Sequence, residues 1–247
     1  MSRTSTELVV LTDVLEQHGL HPFLDSGTLL HTFRDGSIPD WDKDIDLGLM
    51  ANGREPFAAL PEALEGLGYY VKLNRYRGLL YTVALKPIAT AGPRTPASIH
   101  LYFPQDGTLW SPQLWERRST STHAEVEAGR GRPRARGTLR RALDHVDRAL
   151  LAETWPLKRR FEAGVWRIPT DLVFPLASVE RHGVRYPVPA RPEDYLNARY
   201  GDWRRERRDW VFWRDDALLF HERPRRDLIA HHRRRGTAAQ PADSSFS

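Results

Sequence analysis

The chain has 247 residues and no cysteine, enough length for a sizeable core and no material for disulfides, thiolate metal sites or a cysteine nucleophile. Its formal charge of +5 conceals a split: residues 1–110 hold 9 Lys+Arg against 13 Asp+Glu, whereas 111–247 hold 28 against 19. No window approaches the roughly 18 apolar residues of a membrane span, and the opening MSRTSTELVVLTDVLEQHG carries acids through its apolar stretch, unlike a secretory signal, so a cytoplasmic location is expected.

The first element is a helix over 6–18, with Leu8, Leu11, Val14 and Leu15 at helical spacing and Gly19 closing it. HPFLD then reads as a short strand, SGTLLHTFR as a turn leading into a helix, and IDLGLM as a half-buried strand. REPFAALPEALEGLG is helical with a break or restart at Pro61, and YYVKLN, LLYTVALK and SIHLYF are β-like runs of a small mixed sheet. Beyond residue 111 the composition turns basic. GRGRPRARG (129–137) reads as a flexible loop and TLRRALDHVDRALLAE as an amphipathic helix. ASVERHGVRYPVP reads as a hairpin turning at His182-Gly183, RPEDYLNARYG as a helix with Pro192 in its first turn, and the end as a disordered tail. The expected organisation is α/β (α+β): a core over 1–110, a mostly helical region with a hairpin over 111–235 packed on it, and a tail over 236–247.

The chemistry concentrates in FLDSGTLLHTFRDGSIPDWDKDIDLGL, residues 23–49, where Asp40, Asp42, Asp44 and Asp46 occupy alternate positions. Successive strand residues point to opposite faces, so Asp44 and Asp46 share one face while Ile45 and Leu47 anchor the other. Neighbouring carboxylates repel unless a cation lies between them, and hard oxygen ligands at this spacing suit Mg²⁺ or Mn²⁺, which also bind substrate phosphates. A solvated acidic loop is the competing reading for Asp40 and Asp42. Ser26-Gly27-Thr28 stands between a strand and a helix start, where glycine permits close backbone approach and free amides attract phosphate oxygens. A phosphate turn followed by a metal pair is what transfer of a nucleotide-activated phosphoryl group requires. The basic second half could suit nucleic acid. Only four of the 37 basic residues are Lys, a general bias toward Arg, and no reader motif is present, so a nucleic-acid partner is not expected.

Residues 23–49 resemble the signature of the LicD/fukutin family of the nucleotidyltransferase superfamily, whose pattern runs LDGGTLLGxxRxxxxIPWDDDIDLG. Downstream, FPLASVERHGVRYPVPARPEDYLNARYGDW resembles a second family mark ending in Tyr-Gly-Asp-Trp. The resemblance implies a nucleotidyltransferase-like core and a transferase that moves a phospho-alcohol, such as phosphocholine or ribitol phosphate, from a CDP-activated donor to a sugar hydroxyl of a glycan or small acceptor, releasing CMP. Carried onto this sequence, Asp44 and Asp46 match the metal pair, Ser26, Gly27 and Thr28 the phosphate turn, with Asp42 beside them. Arg34 matches a family Arg that could meet a donor phosphate, while Tyr200 to Trp203 match a mark that could serve packing alone. The departures are His31 in place of a usual Gly, the inserted Asp40, and Lys43 in place of an acid. The superfamily's third carboxylate has no clean match: His100 on a strand and Asp106 in the following turn are the candidates, and His100 could act as the base. Two rival readings stand beside this one: transfer of the nucleotide itself to a small acceptor, and a degenerate member that binds a nucleotide without catalysis.

Overall fold

The computed structural model describes residues 3–39, 42, 44–51, 60–88, 94–116, 161–207 and 209–237. Expectations about Asp40, Trp41, Lys43, the 129–137 loop, the helix over 138–153 and most of the tail lie outside them.

Helix α1 (Arg3–Gln17) buries Leu8, Leu11 and Leu15, the stripe its spacing predicts. Strand β1 (Phe23–Leu24) and helix α2 (Ser26–Arg34) follow, then β2 (Ile45–Met50), which pairs antiparallel with β1 through Phe23↔Gly48 and Leu24↔Leu47. Helix α3 (Leu60–Gly66) has Pro61 in its first turn, where a missing N–H costs nothing. The expected run of strands continues as β3 (Tyr69–Tyr76), β4 (Leu79–Pro87) and β5 (Ala97–Gln105). β5 lies parallel to β2, with Asp46 opposite Ser98 and Gly48 opposite His100, and antiparallel to β4. Ile45, Leu47, Ile99 and Leu101 fill one face of this pair, and all are buried. The opposite face therefore carries Asp46, Ser98 and His100. Gly48 also has a packing reason: a Cβ there would meet the Phe23 ring at 2.3 Å.

Among the described residues beyond 110, strands stand beside the helices. β6 (Thr108–Glu116) forms a hairpin with β5 and pairs with β7 (Phe161–Pro169), which pairs with β10 (Leu219–Phe220). These strands extend the same sheet to eight strands, and residue 110 lies within β6. The sequence hides them because β6 and β7 are broken by proline, glycine and charges, and their apolar residues alternate only weakly; pairing and burial of Trp110, Val165, Trp166 and Ile168 decide. The remainder is helix α4 (Thr170–Val173), the expected hairpin β8 (Ala177–Arg181) and β9 (Val184–Val188), helix α5 (Pro192–Tyr200) and helix α6 (Phe212–Asp215). Helix α7 (Arg226–Thr237) closes the described chain. Within it Ile229 and His232 are buried, with the His232 ring 4.8 Å from that of Phe103. No described helix is long and apolar enough to cross a membrane.

Candidate active site

The site begins with the step from β1 into α2. Asp25 caps α2, and its Oδ1 accepts the Ser26 amide at 2.7 Å. Ser26 has φ +46°, a left-handed conformation uncommon outside glycine. The amide of Asp25 donates to the Asp46 carbonyl at 3.2 Å, and the Asp46 amide donates to Thr28 Oγ1 at 2.8 Å. Both backbone groups of Asp46 are thus held by residues 25–28, and this clamp aims its carboxylate at Gly27. An added Cβ on Gly27 would lie 3.6 Å from Asp42 Oδ2 and 3.6 Å from Asp46 Oδ2, so both acids converge on the glycine turn.

These groups line a cleft of about 540 Å³, together with Leu30, His31, Arg34, Asp44, Ser98, His100, Gln113 and residues from the far half of the chain. Of the residues expected from sequence, the cleft gathers Ser26, Gly27, Arg34, Asp42, Asp44, Asp46 and His100. Thr28 is fully buried and does not line it; its hydroxyl serves the strand. The Ser26 amide is occupied by Asp25, so of the three turn residues Gly27 is the one left to offer its amide to a ligand in the cleft. Asp44 lies just before β2, is exposed as a residue and lines the cleft. Burial, followed by the charges of Asp46 and Asp42, pushes its carboxyl well above the usual range.

That crowding is the observation by which a divalent cation can be judged. Clustered hard oxygens that repel one another fit Mg²⁺ or Mn²⁺, and Asp44 and Asp46 are the residues that would hold it. Among the described residues no group of three or more His, Asp or Glu side chains forms a ready metal cage. Mg²⁺ does not require one, since it is usually held by one or two carboxylates plus waters and substrate phosphates.

His31 lines the cleft between two acids: Nδ1 lies 2.5 Å from Asp35 Oδ2 and Nε2 lies 3.3 Å from Asp42 Oδ2. Arg34 lines the cleft with its guanidinium engaged by Asp35, Nε to Oδ1 at 2.9 Å and Nη2 to Oδ2 at 3.0 Å, so a phosphate would meet an arginine already neutralised in part. The two candidates for the missing third acid separate. His100 Nε2 stands 3.6 Å from Asp46 Oδ1, with its ring edge-on to Trp166 and its buried Nδ1 without a hydrogen-bond partner. Asp106 sits in the exposed β5–β6 turn, hydrogen-bonded by Gln105, and does not line the cleft.

The far wall is made by Trp166 of β7, Arg199 and Tyr200 of α5, and Asp202, Trp203, Arg205, Trp210 and Phe212 beyond it; the sequence singles out Tyr200 to Trp203 but gives no sign of Arg199, Arg205 or Phe212. The Tyr-Gly-Asp-Trp mark therefore faces the acids across the cleft. Behind the wall, Arg199 is 1% exposed and lies between two buried carboxylates: Nη1 donates to Asp25 Oδ1 at 2.9 Å and Nε to Asp216 Oδ2 at 2.8 Å. Tyr102 and Tyr195 hydroxyls also donate to Asp25, at 2.6 and 2.5 Å. Burial opposes the charge on Asp25, but Arg199, His100 and the two tyrosines prevail and hold its carboxyl below the usual value. The signal for Asp25 was present, since it stands directly before Ser-Gly-Thr; nothing local marks Arg199 as buried.

The site thus joins a capped glycine turn to an acidic strand that lies beside a parallel neighbour. Residues 19–125 match the family model described as LicD/FKTN/FKRP, nucleotidyltransferase domain, so over that segment the chain is similar to the LicD/fukutin family. The match supports a phosphotransferase-like function in general. No curated protein matches the chain. The far wall, from Trp166 to Phe212, lies outside the matched segment.

Proposed function

We propose that this protein transfers a phospho-alcohol, phosphocholine- or ribitol-phosphate-like, from a CDP-activated donor to a sugar hydroxyl of a glycan or glycoconjugate. The observation that carries this reading is the convergence of Asp42 and Asp46 on Gly27, with Asp44 crowded beside them. Held by Asp44 and Asp46, Mg²⁺ or Mn²⁺ would supply charge neutralisation for the donor diphosphate. The amide of Gly27, at the start of α2, binds a phosphate oxygen with help from the helix dipole. Arg34 supports it at the rim. His100 faces the same space from β5 and takes the proton of the acceptor hydroxyl. The acceptor oxygen then forms its bond to the phosphorus bearing the alcohol, and the bond from that phosphorus to CMP breaks.

The test is the nucleotide product. With CDP-choline or CDP-ribitol, Mg²⁺ and a sugar acceptor, the reading expects CMP and an acceptor heavier by the phospho-alcohol. Pyrophosphate released from CTP, with nucleotide on the acceptor, would point instead to nucleotidyl transfer. One observation favours a non-catalytic binder: a histidine rather than an acid faces the cleft from β5. Metal-dependent binding of the donor without turnover on any acceptor would establish that alternative.

A further inference from the structure

We propose that Arg199 is a positioning residue for the phosphate turn, acting through Asp25 from the opposite half of the chain. The inference rests on the reading of the cleft given above. Asp25 Oδ1 accepts both the Ser26 amide and Arg199 Nη1, while the Tyr195 hydroxyl, itself 2.7 Å from Nη1, donates to the same oxygen. One carboxylate therefore links the backbone of the turn to α5. Arg199 has no freedom to drift: Asp216 takes its Nε, and the Trp166 ring centroid lies 4.2 Å from its guanidinium carbon. The Trp166 indole N–H in turn donates to Asp216 at 3.0 Å.

Stability alone gives little reason for this arrangement, because well-packed apolar groups often serve a buried site as well as a buried ion triad. Two consequences for the cleft do explain it. First, Ser26 holds a left-handed conformation that its surroundings must enforce, and its amide is tied to Asp25, so the location of Asp25 sets where Gly27 presents its amide. Second, an unneutralised carboxylate at the cap of α2 would compete with an incoming phosphate for the positive end of the helix. The guanidinium cancels that charge from behind while remaining almost wholly buried, so it organises the turn rather than serving as an exposed ligand.

The experiment is calorimetric binding of inorganic pyrophosphate with Mg²⁺ to the full chain. The variants are Arg199→Met, Arg199→Lys and Asp216→Asn, with Ile229→Ala as a core-destabilising control remote from the cleft. Near-UV circular dichroism verifies folding. The proposal expects Arg199→Met to weaken binding on the order of tenfold to a hundredfold, the scale of a small misplacement of binding groups. Arg199→Lys, which keeps the charge but cannot span both carboxylates, should recover part of the loss, and Ile229→Ala should bind as the wild type does. If Arg199→Met does not fold, Arg199→Lys and Asp216→Asn supply the same reading. Unchanged affinity in the folded Arg199 variants overturns the proposal, as does an equal loss in Ile229→Ala. A wild-type chain that binds no Mg²⁺–pyrophosphate is a separate result: it removes the reading of the cleft, and this inference with it.

Discussion

Asp44 carries a conflict that its neighbours do not relieve. Its carboxyl is pushed up first by burial and then by Asp46 and Asp42, so the folded chain holds its proton at pH values where the unfolded chain has released it. Stability at this residue therefore falls as pH rises above the ordinary carboxylate range toward the raised value. Asp44→Asn should raise the melting temperature slightly at neutral pH while abolishing Mg²⁺-dependent donor binding; thermal shift with and without Mg²⁺ reads both effects. His232 works in the opposite direction. Burial, then the charges of His231 and Arg235, bring it down to about 4, so protonation is disfavoured in the fold. Stability contributed by neutral His232 is present at neutral pH and is lost as pH falls from the ordinary histidine range through about 4. His232→Phe should flatten the acid limb of a stability–pH curve over that interval, and an unchanged limb would exclude His232 as its source.

At the scale of the element, the β1–α2–β2 unit is the working part. Its short strand, glycine turn and acidic strand were legible because apolar alternation and a turn residue mark them locally. The clamp that aligns them was not, since it joins Thr28 to an amide 18 positions away. Thr28→Val should leave the Asp46 amide buried without a partner and destabilise the protein by about 1–3 kcal/mol. Because the same bond aims Asp46, donor affinity should fall as well; chemical denaturation and calorimetry measure the two separately. Gly48→Ala places a methyl into the Phe23 ring, and overpacking of this kind costs about 1–3 kcal/mol. Its loss should appear in stability, with the cleft carboxylates still able to bind metal in the folded fraction.

Across the whole molecule, the family-matched segment and the folding unit do not coincide. Residues 19–125 supply the acids and the turn, but β7 pairs along β6 from Thr108 to Glu116, and Asp25 depends on Tyr195 and Arg199. A chain cut to residues 19–125 should therefore lack a cooperative thermal transition, because β6 loses its long pairing with β7 and the Asp25 carboxylate loses two of its donors. A sharp transition in that fragment would show that the second half is an accessory. The cleft itself is bilateral: carboxylates and the Gly27 turn on one side, and on the other an aromatic wall with Arg205 and Asp202.

Local chemistry was enough to read the acidic strand, the glycine turn, the hairpin at His182-Gly183 and the mixed α/β character, since each depends on residues a few positions apart. Which residues stand opposite them was decided only by packing across the sheet. The burial of Arg199 between Asp25 and Asp216, the choice of His100 over Asp106, and the seating of His232 against Phe103 all join residues far apart in the chain. A periodicity reports the face a residue will turn, because backbone geometry repeats. It carries no information about what the chain will later bring to that face, because burial and charge pairing are settled only when distant segments close on one another.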